Sequence, residues 1–165
     1  MALFTSFHVL LSLIGIVSGF VVVFGMIAGK PRGGGAALFL ATTVATSVTG
    51  FLFPFHRFMP SHGAGIISLV VLALAIFARY ARHLAGPWSR TFVVTAVIAL
   101  YLNVFVLVAQ AFQKVPALHA MAPTQTEPPF LVAQGVVMVV FVALGIAAAR
   151  GFRSQAPVPG SAPAA

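Results

Sequence analysis

Five long apolar runs alternate with short polar breaks along this chain. The alternation predicts an all-α, polytopic transmembrane helix bundle of five spans. The runs cover 7–28, 36–55, 63–79, 91–112 and 130–149. A helix rises about 1.5 Å per residue, so such runs match a hydrocarbon core of about 30 Å. The third is the shortest. It reaches across when His62 and Arg79 sit at the two interfaces, with Arg79 snorkelling. The start, MALFTSFHVLL, lacks the positive region and small-residue cleavage site of a signal peptide, so the first run reads as a retained span. Residues 1–153 are expected to form one helical domain. The tail SQAPVPGSAPAA, 154–165, is expected to be disordered, because Pro, Ala and Ser cannot bury a core.

The breaks carry most of the polar residues. GKPRGGG, 29–35, reads as a basic loop with a flexible glycine turn. It lacks the Lys and Ser/Thr that would complete a phosphate-binding loop. FPFHRFMPSH, 53–62, is bracketed by Pro54 and Pro60 and cannot simply continue either neighbouring helix. RYARHLAGPWSR, 79–90, holds three arginines flanked by Tyr80 and Trp88, as in an interfacial aromatic belt. The longest connection, 113–129, contains Pro116, Pro123, Pro128 and Pro129, which argue against one continuous helix.

Polar positions inside the runs are ordered by helical spacing. Gly15 and Gly19, and Gly25 and Gly29, form small-xxx-small pairs that allow close helix approach. Thr42, Thr46 and Thr49 share one face, and Thr43, Ser47 and Gly50 another; hydroxyls so placed bond to their own backbone or to a neighbouring helix. Asn103, Gln110 and Gln113 fall on one stripe, which must face protein because amides in hydrocarbon need partners.

Composition agrees with the pattern. Hydrophobic residues make up 61% and charged residues 6%, with a mean hydropathy of +1.10. A soluble domain is roughly a quarter charged. The net charge of +8 is carried by nine basic residues scattered over short loops. That is no nucleic-acid groove, and RNA-binding aromatic motifs are absent. The charge fits membrane orientation and contact with anionic lipid. Lys30, Arg32, Arg79, Arg82, Arg90, Arg150 and Arg153 fall on one side of a five-span arrangement, and Arg57 and Lys114 on the other. The positive-inside rule then puts the N-terminus outside and the C-terminus in the cytoplasm. His8, His56, His62 and His119 share the outer side, as do Gln110, Gln113, Gln125 and Gln134. An outward-facing polar recess follows, with Asn103, Gln110, Gln134, Arg57 and Glu127 as its candidate ligand- or partner-binding residues.

With no cysteine, thiolate chemistry and disulfides are excluded. His8, His56, His62 and His119 are the candidate metal ligands, a histidine set suited to Zn, Cu or Fe, with Glu127 as an added carboxylate. A b-type haem would take axial histidines from His8, His56 and His62. No HExxH and no i, i+4 histidine pair sharpens either idea. Glu127 is the only acidic residue. A Ser-His-Asp triad and a paired-carboxylate mechanism are therefore excluded. Glu127 is expected either to be solvated or to pair with Arg57 or Lys114.

The stretch Leu100–Phe130 (LYLNVFVLVAQAFQKVPALHAMAPTQTEPPF), together with TGFLFPF at Thr49–Phe55, resembles a group of uncharacterised small bacterial inner-membrane proteins. The resemblance implies a bacterial inner membrane and transfers no activity. The reading that follows is a multi-pass, non-enzymatic binding or partner-interaction module. Its partners are the lipid bilayer and another membrane protein or a second copy of itself, and not nucleic acid. The alternatives are a haem- or metal-containing redox protein using the outer histidines, and a small permease.

Overall fold

The computed structural model describes residues 2–30, 33–53 and 60–153. The described residues are helical or in turns, with no strand among them. The helices are α1 (Ala2–Ile27), α2 (Gly33–Gly50), α3 (Pro60–Ile76), α4 (Trp88–Lys114), α5 (Pro116–Met121) and α6 (Pro128–Arg153). A π-helical turn, Phe77–Ala81, closes α3. Four segments are long and apolar enough to cross a membrane: Leu3–Ile27, Gly63–Ala81, Trp88–Lys114 and Pro128–Phe152. The apolar part of α2, Gly34–Gly50, is shorter. The four long apolar helices indicate a multi-pass membrane protein.

Helix ends depart from the expected breaks for local reasons. The expected glycine turn is helical: Gly33–Gly35 form the first turn of α2. Proline proves a helix starter as well as a breaker. Pro60, Pro116 and Pro128 each open a helix, where a missing N–H costs nothing because the first-turn donors have no intrahelical acceptor. The connection 113–129 thus contains α5 and the start of α6. Gly29 is buried at the end of α1. At φ 65° it stops α1, with Lys30 N–H donating to Gly25 O at 2.8 Å, the Schellman arrangement. The π turn ends similarly: Arg82 N–H reaches Phe77 O and Leu84 N–H reaches Ala78 O, both at 3.0 Å. There His83 and Leu84 take φ of 49° and 58°, a left-handed conformation that costs non-glycine residues about 1–2 kcal/mol each.

Helix α4 lies at the centre, packed on α1, α3 and α6, while α2 packs on α1 and α3. The contact surfaces are built from small residues. Ala75, Ala78, Ala96, Ala99 and Ala148 are fully buried beside Phe39, Phe92, Leu72 and Leu100. Lipid is as apolar as leucine, so close van der Waals packing, not hydrophobic burial, must hold such helices together. Gly19 faces Leu100 and Phe39, and Gly151 faces the backbone of α1: a Cβ on Gly151 would fall 2.6 Å from Met26 O and nearer still to Ile27 O. Helix α6 is peripheral. Only 17% of its span is buried, and Leu131, Val132, Val136, Val139 and Val142 point outward.

The bundle therefore has two chemically different ends. At one, α1, α3 and α6 finish and α2 and α4 begin. This basic end carries Lys30, Arg79, Arg82, Arg90 and Arg150. Arg79 lies over the rings of Tyr80 and Phe92, and Arg82 over Trp88 at 5.3 Å. The other end is closed by the segment between α4 and α6. A small second core of Phe112, Ala122 and Phe130 anchors that segment, the two phenyl rings edge-to-face at 5.4 Å.

Candidate functional site

Polar groups inside the bundle fall into two kinds. Some hydroxyls are satisfied by their own helix: Ser18 donates to Ile14 O, Thr42 to Leu38 O and Thr95 to Thr91 O, at 2.6–2.7 Å. Others tie helices together. Asn103 Nδ2 donates to Thr43 Oγ1 at 3.3 Å, linking α4 to α2 beside Gly15. Ser47 Oγ donates to Ser68 Oγ at 3.2 Å, linking α2 to α3. Gln134 Nε2 donates to Phe105 O at 3.0 Å, linking α6 to the α4 backbone.

Two buried side-chain oxygens, Thr46 Oγ1 and Gln134 Oε1, have no hydrogen-bond partner among the described residues. Thr46 lies four residues from the end of α2, and Gln134 in the second turn of α6, so both sit in the half of the bundle toward α5. A buried oxygen left this way costs about 1–3 kcal/mol. Thr46 was legible as a member of a hydroxyl face, but nothing in the sequence separates it from Thr42, which bonds its own backbone.

His8 joins α1 to the end of α2: its Nδ1 lies 2.8 Å from Thr49 Oγ1. The Thr49 hydroxyl proton is already given to Ala45 O at 2.7 Å. With the Thr49 proton given to Ala45 O, the tautomer that fits is the one protonated on Nδ1, in which Nε2 keeps its lone pair. Phe53 meets the imidazole edge-to-face at 5.1 Å.

The α4–α6 connection is a self-contained polar knot. Gln125, at φ 60°, donates from Nε2 to Ala109 O at 2.7 Å and accepts from Gln113 Nε2 at 3.1 Å. Glu127 accepts from Thr124 N–H and Oγ1 at 3.1 and 2.9 Å through Oε1, and from Thr126 N–H at 3.0 Å through Oε2. Partial desolvation pushes the Glu127 carboxyl up, but these donors outweigh it and hold the group below its ordinary range. The carboxylate thus serves its own turn.

The other sequence candidates scatter. His119 is exposed on α5, and Gln110 is half-buried on α4. His62 is described by its backbone alone, in the first turn of α3, and His56 and Arg57 lie outside the described residues. Among the described residues no three His, Asp or Glu side chains come together as a metal site would require. Asn103 and Gln134 share a half of the bundle but reach toward different helices.

No family model matches the chain, nor does any curated protein or solved structure. The site must therefore be read from its own chemistry. That chemistry is neutral: amides and hydroxyls that donate and accept hydrogen bonds.

Proposed function

We propose that the protein is a five-span module of a bacterial inner membrane, N-terminus outside, that acts by binding a small polar ligand or a partner chain rather than by catalysis. The half of the bundle toward α5, which holds Asn103, Gln110, Gln134 and Thr46, is its binding region. The observation that carries this reading is the pair of buried oxygens, Thr46 Oγ1 and Gln134 Oε1, in an interior otherwise tied by hydrogen bonds. Each is an acceptor that a donor from outside the chain would complete. Neutral acceptors of this type suit an uncharged or zwitterionic ligand, or a polar side chain of a partner helix. The test is affinity purification of the full chain from its membrane, with the eluate examined for small molecules and co-purifying chains. A stoichiometric species present with wild type and lost from Thr46→Val plus Gln134→Leu is the expected result. A wild-type eluate without any such species overturns the reading.

A second reading rests on His8. Its Nε2 is left as a lone pair, and its ring lies against Phe53, three residues before His56 in the chain. His8, His56, His62 and His119 would then supply metal ligands, or His8 with His56 or His62 the axial pair of a haem. An absorption spectrum and elemental analysis of the purified protein decide it. A Soret band or stoichiometric metal lost in His8→Ala supports it, and a colourless, metal-free preparation removes it.

A further inference from the structure

We propose that the groove between α4 and α6 holds an acyl chain of an anionic glycerophospholipid whose phosphate sits between Arg90 and Arg150. The groove is an open trough of about 430 Å³ on the flank of the bundle. Its walls are Val94, Ile98 and Tyr101 on α4 and Val142, Gly145 and Ile146 on α6, nearly all apolar. It exists because α6 offers little bulk there: Gly145 stands against Val97 with no side chain of its own.

The groove ends in positive charge. Val97 lies opposite Gly145, and the Tyr101 and Phe141 rings meet at 5.7 Å, which fixes the antiparallel pairing of the two helices. Continued toward the basic end, that pairing brings Arg90 level with the residue two beyond Arg150, about 3 Å along the axis. Arg90, Val94 and Ile98 are spaced by four, as are Val142, Ile146 and Arg150, so each arginine stands one turn beyond the groove on the same face. Both arginines are exposed. The chain's one side-chain carboxylate, Glu127, lies at the opposite end of the bundle inside its own turn. No side-chain carboxylate of the chain stands at this end to pair with them. Trp88, one half-turn from Arg90, marks the headgroup level as interfacial aromatics do. A second copy inserted the same way would bring only further arginines to this end. A phospholipid supplies both halves, an apolar chain for the groove and a phosphate for the guanidinium pair.

The test uses the full chain in neutral detergent micelles with equimolar phosphatidylglycerol and phosphatidylcholine, bound lipid being read by native mass spectrometry. Wild type should retain phosphatidylglycerol about fivefold over phosphatidylcholine, the factor one basic residue near an anionic surface supplies. Arg90→Gln plus Arg150→Gln should bring that ratio to about one, and Arg90→Lys plus Arg150→Lys should restore most of it. Gly145→Leu, which fills the groove and leaves the arginines in place, should lower retention of both lipids. Glycerol 3-phosphate, the same phosphate chemistry without chains, should not displace the lipid. Displacement by it would mark a soluble-phosphate site and overturn the lipid proposal. Equal retention of the two lipids by wild type, unchanged selectivity in the double Gln variant, or a dimer in place of the lipid-bound monomer overturns it as well.

Discussion

Replacing Gly19 by alanine measures how closely α1 approaches its neighbours. A Cβ at that position would lie 2.6 Å from Leu100 Cδ1 and 2.8 and 2.9 Å from Phe39 Cε2 and Cδ2. Carbon atoms ordinarily rest about 3.5–4.0 Å apart, so each neighbour must retreat by roughly an ångström. Neither has room, because Leu100 and Phe39 are both 0% exposed. Forcing a methyl group into a packed core costs about 1–3 kcal/mol. Alanine recovers up to about 1 kcal/mol of helix propensity, so the net loss should be about 1–2 kcal/mol. Gly135→Ala is the control. Nothing lies within 4 Å of its Cβ position, so only the propensity gain applies, up to about 1 kcal/mol of stabilisation. The assay is reversible unfolding of the purified chain by sodium dodecyl sulfate in mixed micelles, followed by circular dichroism and by the fluorescence of Trp88. Gly19→Ala should unfold at a lower detergent fraction than wild type, and Gly135→Ala at an equal or higher one. If Gly19→Ala unfolds where wild type does, the close approach of α1 to α2 and α4 is wrong, and with it the account of how the bundle coheres.

Three further outcomes follow from the same geometry. A double-mutant cycle of Asn103→Leu and Thr43→Val should give a coupling of about 0.6 kcal/mol, with an upper bound near 1.7 for such bonds in membranes; additive losses would show that the two side chains do not meet. Because the Glu127 carboxyl is held below its ordinary value of 4.5, its contribution to the turn is complete above that pH and disappears as pH falls through the lower folded value. The amide shifts of Thr124 and Thr126 should therefore titrate with a midpoint below 4.5, and a midpoint at or above the ordinary value contradicts the hydrogen bonds to Glu127. His83→Gly relieves the steric cost of a left-handed backbone at an exposed residue and should raise the unfolding free energy by a few tenths to about 1 kcal/mol, whereas lower stability would mean the His83 side chain contributes more than its backbone costs.

The apolar runs were legible because a membrane helix announces itself by composition alone. Each run holds a helix among the described residues; residues 54 and 55, the expected end of the second run, lie outside them. What the sequence hid was decided by contacts between distant parts of the chain or by local backbone geometry. Gly33–Gly35 is helical although glycine disfavours helices; the next residue, Ala36, is buried against the bundle. The prolines after Lys114 read as breaks because their fixed φ suits a helix start as well as a turn, and the same residue type signals both. Of the stripe Asn103, Gln110 and Gln113, Asn103 is buried against α2, Gln110 is half-buried, and Gln113 is exposed and bonds the α4–α6 connection. Periodicity says which way a side chain points, not what stands opposite. The His8–Thr49 bond spans 41 residues of sequence, and no spacing rule reaches that far.

The inequality of the helices acts on the bilayer itself. Helix α2, with 18 residues, is about 27 Å tall, while α4, with 27, is about 40 Å. Leu38 and Val48 of α2 are exposed on the flank of the bundle. Were α2 to cross with the four longer helices, the two leaflets would thin around it, while beside α4 and α6 they could swell or the helices lean. Each ångström of such mismatch costs a fraction of a kcal/mol. A crossing by α2 would therefore favour a bilayer that is thin or readily dented.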